Sequence, residues 1–177
     1  MTRGLSLLLT LLLLLPLTSC DGRAGGNPFF SEYDTPFGVP PFDQIKNEHF
    51  IPAFEEGIRQ REAAIEQIVS DEAAPTFANT VEALEYSGEL LDKVCYVFFN
   101  YSSSNTSAEI QQIEAQVLPM LSTHDDDTRF NAGLFDRIKL IYDQRNGQGL
   151  SPEQMRLLET AYKGFASTGA LIPGDQE

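Results

Sequence analysis

The chain has 177 residues, 12 Lys+Arg against 26 Asp+Glu, a net charge of −14, two Cys, two His and no Trp. Its length and 42% apolar content suffice for one domain with a sizeable core. The charge repels a phosphate backbone and excludes nucleic-acid binding. Two Cys and two His, with no Gly-rich phosphate loop, supply neither a disulfide framework nor a four-ligand zinc site, and leave a self-contained catalytic site hard to assemble.

The first segment reads as targeting. Arg3 gives a short positive start, and ten of the 13 residues from Leu5 to Leu17 are Leu. A helix of that length covers about 20 Å, short of the ~30 Å hydrocarbon layer, so it reads as a signal-peptide core rather than a span. Leu17-Thr18-Ser19-Cys20 follows and resembles the bacterial lipobox, in which the Cys is diacylated on sulfur and becomes the mature N-terminus. The alternative is ordinary signal cleavage with an incidental Cys. Lipidation at Cys20 implies stable membrane anchoring through the lipid, because more than one acyl chain is attached. The predicted location is therefore the bacterial cell envelope, facing the periplasm, with residues 1–19 removed. Loss of Arg3 leaves a mature charge of 11 − 26 = −15, which does not suit lying on anionic lipid.

Residues 20–42 form the acylated end and an arm rich in Pro, Gly and aromatics. Such a run holds neither helix nor central strand. Phe29, Phe30, Tyr33, Phe37 and Phe42 make it too aromatic for a solvated tether, so the arm is expected to lie along the folded body, loose only from Asp21 to Asn27.

Residues 43–177 read as a helical domain. Ile51, Phe54, Ile58, Ile65 and Ile68 recur at helical spacing as one apolar stripe. Asn79 with Glu82 has capping-box spacing, before Leu84, Leu91, Val94 and Phe98 on one face. Thr106 with Glu109 repeats that spacing before Ile110, Ile113, Val117 and Leu121. Asn131 is placed to cap Leu134, Ile138 and Ile141, with a stop at Asn146-Gly147. Ser151-Pro152-Glu153-Gln154 supplies a cap, a first-turn proline and a Gln at the third position, before Met155, Leu158, Tyr162 and Phe165. The predicted fold is all-α, an array of about five antiparallel helices without a fixed-period repeat.

The chemistry inventory is thin. Zinc hydrolases built on H-E-x-x-H need two His one helical turn apart, but His49 is followed by Phe50 and His124 by Asp125. His49, beside Glu48 at a helix start, reads as a neutral, hydrogen-bonded structural residue. Asp125-Asp126-Asp127 fails the calcium-loop pattern and reads as a solvated loop. Phe98 reads as core, Tyr96 and Tyr101 as surface or interface, and Cys95 as a buried free thiol. Asn100-Tyr101-Ser102 and Asn105-Thr106-Ser107 match glycosylation sequons, a reading that a bacterial lipobox disfavours. No catalytic, cofactor-binding or metal-binding residue is assigned in this chain.

Pro41-Phe42-Asp43-Gln44-Ile45, His49-Phe50-Ile51-Pro52-Ala53-Phe54, Pro75 to Glu85 and then Ser87-Gly88 resemble the opening of thimet-oligopeptidase-type zinc metallopeptidases. Asn27-Pro28-Phe29-Phe30 and Leu158-Glu159-Thr160-Ala161-Tyr162-Lys163 are similar to the bacterial peptidyl-dipeptidase (dipeptidyl carboxypeptidase) branch. The resemblance covers residues 27–172. It implies a longer helical parent with one zinc held by H-E-x-x-H and a downstream Glu, acting on short peptides, all beyond the matched region. This chain would supply the N-terminal wall of the substrate channel, partnered by the missing C-terminal catalytic region, and would bind no zinc itself. Ile172-Pro173-Gly174 breaks the last helix and Asp175-Gln176-Glu177 looks like the start of another, as expected of a chain cut short. The alternative is a stand-alone helical lipoprotein that binds peptides or a protein partner without catalysis. For a wall region, Val94, Cys95, Val97, Phe98 and Phe99 are expected to leave apolar surface for the remainder, favouring self-association in isolation.

Overall fold

A 21-residue helix, α1 (Phe50–Ser70), is the spine on which most of the other helices pack. The computed structural model describes residues 26–167. The proposed signal peptide, Cys20 and the expected helix start at Asp175-Gln176-Glu177 lie outside the described residues. After α1 come the short α2 (Ala83–Tyr86), α3 (Glu89–Ser104), α4 (Ala108–Arg129), α5 (Ala132–Asp143) and α6 (Pro152–Phe165). Five of these have 12 residues or more, and no strand occurs among the described residues, so the fold is all-α as the sequence predicts.

The stripe on α1 serves two cores. Its first half places Phe50, Ala53 and Phe54 against Leu91, Val94, Val97 and Phe98 of α3 and Ile110, Ile113 and Val117 of α4. Its second half places Ile65 and Ile68 against Leu134, Phe135, Ile138 and Ile141 of α5 and Leu158 and Phe165 of α6. Burying each large side chain contributes about 1.5–3 kcal/mol relative to leaving it exposed. In the first core Phe50 and Phe54 meet Phe98 edge-on, with ring centroids 4.9 and 5.5 Å apart. In the second Tyr142 stacks on Tyr162 at 3.9 Å.

The first part of the arm packs on the body, whereas Phe37 and Phe42, expected to lie along it, are exposed. Phe29 is buried and its ring lies 5.6 Å from that of Phe50. Lys93 of α3 donates to the carbonyls of Phe29 (3.1 Å) and Ser31 (2.7 Å), with its ammonium 3.9 Å from the Tyr33 ring centre. Asn27, expected to be loose, is anchored: its amide donates to the His49 carbonyl at 2.9 Å and its Oδ1 accepts from the Phe29 N–H.

Two caps fall where the sequence places them. Asn131 accepts from the Leu134 N–H, and Ser151 forms a reciprocal box with Gln154. Two differ. Thr76, not Asn79, caps the segment that opens with the π-helical turn Phe77–Glu82, and Asn79 reciprocates from the third position by accepting from the Thr76 N–H at 2.7 Å. Ser107, not Thr106, caps α4, while Glu109 accepts from Asn47 at 2.7 Å. The run from Leu84 to Phe98 is broken by Ser87-Gly88, so Leu84 belongs to a separate short helix. Asp125, Asp126 and Asp127 are exposed as read but lie on the last turns of α4 rather than in a loop.

The apolar turn of α3 also departs from expectation. Val94, Val97 and Phe98 are buried, and Cys95 and Phe99 pack partly against the same cluster. Within this turn the side chain left to solvent is Tyr96, 78% exposed. The five residues expected to present a bare apolar face are thus taken up largely by the chain's own core.

Candidate functional site

The polar side chains singled out by sequence are dispersed. His49 precedes α1, and its Nδ1 accepts from the Lys46 N–H at 3.0 Å. That nitrogen is therefore an unprotonated acceptor, which fits the structural reading of His49. Phe98 is fully buried, Tyr96 is exposed, and Tyr101 is half-buried with its ring 6.1 Å from that of Phe50.

Cys95 is a free thiol, half-buried rather than fully buried. Burial, seconded by the carboxylate of Asp92 and opposed by Arg61, pushes its pKa up to about 11. The neutral thiol is favoured, so nucleophilic or metal-ligating thiolate is scarce at neutral pH. Alkylation of Cys95 by iodoacetamide, followed by peptide mass mapping, should rise about tenfold per pH unit and level off only near pH 11. A plateau near pH 8.5, as for a free cysteine, would refute this environment.

One cluster of titratable groups joins His124 and Asp127, which the sequence offered only as failed metal motifs, to Glu62 and Glu66, which it did not single out. His124 lies on the same stripe of α4 as Ile113 and Val117, at a spacing of seven from Val117, and is 6% exposed. It lines a cleft of about 380 Å³ between α1 and α4, together with Glu62, Glu66, Asp127 and the apolar Ile65 and Val69. Glu62 Oε1 stands 3.6 Å from His124 Nδ1, within Coulombic reach but too far for a hydrogen bond. Neither ring nitrogen has a hydrogen-bond partner among the described residues. The spacing signal was present, since an imidazole on a buried stripe must sit in or beside the core.

Buried polar clamping occurs near the second core. Arg137 of α5 donates to the carbonyls of Asp71 (2.7 Å) and Ala73 (3.4 Å) and to the Thr80 hydroxyl (3.3 Å). These bonds tie the connection after α1 to α5. They engage all three guanidinium nitrogens, Nε, Nη1 and Nη2, which gives the side chain a structural role.

Zinc needs at least three protein ligands converging on one point. Among the described residues no group of three or more His, Cys, Asp or Glu is arranged to hold a metal ion.

The described residues thus form an all-α region with two cores. No protein-family model matches it. Over 146 residues, 82% of this chain, it is 39% identical to the dipeptidyl carboxypeptidases of Salmonella typhimurium and Escherichia coli. Over 143 residues it is 25% identical to oligopeptidase A of Salmonella typhimurium. The chain spans about a fifth of the length of these curated relatives, 21–22% of each. Across the region it spans, these relatives bear out the resemblance to thimet-oligopeptidase-type peptidases.

Proposed function

We propose that this chain is the N-terminal channel-wall region of a zinc peptidase of the peptidyl-dipeptidase type, acting on short peptides, whose catalytic zinc region lies outside these residues. The observation that carries this reading is the 39% identity over 146 residues to proteins of which the chain spans only a fifth. The thin chemistry supports it: the described side chains hold and cap helices rather than assemble a nucleophile, base and metal. The chain alone then cleaves no peptide. Supplying the remaining region of the parent by co-expression should yield cleavage of short peptides that a chelator abolishes and zinc restores. Cleavage by the chain alone, or none with the remainder supplied and the complex formed, would overturn the reading.

We further propose that Cys20 carries the lipid that holds the protein in the cell envelope. The support is Leu-Thr-Ser-Cys after a Leu-rich core too short to span a bilayer. Among the described residues no helix is long and apolar enough to cross a membrane. Expressed in a diderm bacterium, the wild-type chain should fractionate with membranes and Cys20→Ala should stay unprocessed. An intact mass showing processed, unmodified Cys20 would refute lipidation.

A further inference from the structure

We propose that the cleft between α1 and α4 is a receptor for a basic side chain of a polypeptide, an aliphatic stem ending in a guanidinium or ammonium group, with His124 as its buried hydrogen-bond acceptor. A histidine 6% exposed, with neither ring nitrogen paired, leaves an acceptor that an incoming N–H would satisfy. The carboxylates of Glu62, Glu66 and Asp127 line the same cleft, and no Lys or Arg does. A cation is drawn to three acids, and a chain of net charge −14 adds to the attraction. Ile65 and Val69 give the same cleft an apolar flank that suits a methylene stem.

Two rival ligands fit less well. An anion would meet like charge on α1 and α4. A metal ion needs three convergent ligands, which the described residues do not provide, and leaves most of a space of about 380 Å³ empty. The proposal does not rest on the peptidase reading, since it concerns binding alone.

The test uses the full chain in detergent micelles, with N-acetylarginine amide, its neutral isostere N-acetylcitrulline amide, and zinc chloride as probes. The arginine probe should shift the ring signals of His124 and the amides of residues 62–70 and 124–131 saturably, and the citrulline probe should not. Glu62→Gln with Asp127→Asn, both at exposed side chains and therefore compatible with folding, should weaken binding about tenfold. His124→Phe keeps the site filled and should weaken it as well. Equal response to citrulline would overturn the proposal. So would shifts scattered over the surface, or shifts indifferent to these substitutions. Stoichiometric zinc binding without an arginine response would overturn it too, and would make the cleft a metal site.

Discussion

Gly57→Val should lower the unfolding free energy by about 3 kcal/mol, seen as a lower urea midpoint at unchanged slope. Gly57 is buried on α1 where that helix crosses α3, and a Cβ added there would lie 2.9 Å from Leu91 Cα and 3.0 Å from Leu91 N. The obstacle is backbone, which cannot rotate away as a flexible side chain could. The helices must separate, and the packing of Phe54, Val94 and Phe98 loosens with them. Gly57→Ala isolates the contact from the propensity. Alanine in a helix interior gains about 1 kcal/mol over glycine, so a net loss on Gly57→Ala means the clash outweighs that gain. Gly164 on α6 is the control, because an added Cβ meets nothing within 4 Å there. Gly164→Ala should stabilise by up to about 1 kcal/mol. If both alanine substitutions stabilise, the close approach of α1 to α3 is wrong.

The same position shows how legible the fold was. The apolar stripes of α1, α4, α5 and α6 could be read because burial of one helix face forces a period near 3.6. A glycine on such a stripe, three residues after Phe54, signals a close helix crossing, but which helix crosses there is a long-range fact that no local pattern carries. The caps divide on similar grounds. Asn131 and Ser151 each stand alone before an apolar run. Thr76 and Asn79 overlap as two capping frames in Thr76-Phe77-Ala78-Asn79, and burial of Phe77 decides between them by requiring the helical segment to begin there.

The candidate site was half legible. Searching for metal-ligand spacing passes over His124, because its neighbours in sequence are ordinary acids. Its place on the Ile113–Val117 stripe was the available signal, and it predicts burial. The convergence of Glu62 and Glu66 from α1 was not legible, since helix pairing depends on the tertiary fold. The resemblance covered the functional class that the residues alone could not reach.

Arg137→Met should destabilise the chain by about 2–4 kcal/mol, the second large effect. The substitution keeps a stem of similar length, so packing against the second core is largely preserved. What it removes is the donor fork, leaving the carbonyls of Asp71 and Ala73 without that partner beside a hydroxyl, Thr80, that is fully buried. The ion pair is the smaller part. Asp71 Oδ2 lies 3.6 Å from the guanidinium and its side chain is 36% exposed, so solvent screens the attraction. Asp71→Asn should therefore shift stability by less than about 1 kcal/mol. Arg137→Lys separates the two contributions, since it keeps the charge but offers a single ammonium instead of a planar fork. If hydrogen bonding to the connection dominates, Arg137→Lys falls nearer to Arg137→Met than to wild type in denaturant unfolding. If charge dominates, the lysine variant is close to wild type and Asp71→Asn costs as much as Arg137→Met. A cycle combining Asp71→Asn with Arg137→Met measures the pair directly, and a coupling below about 1 kcal/mol would assign the clamp to the carbonyls.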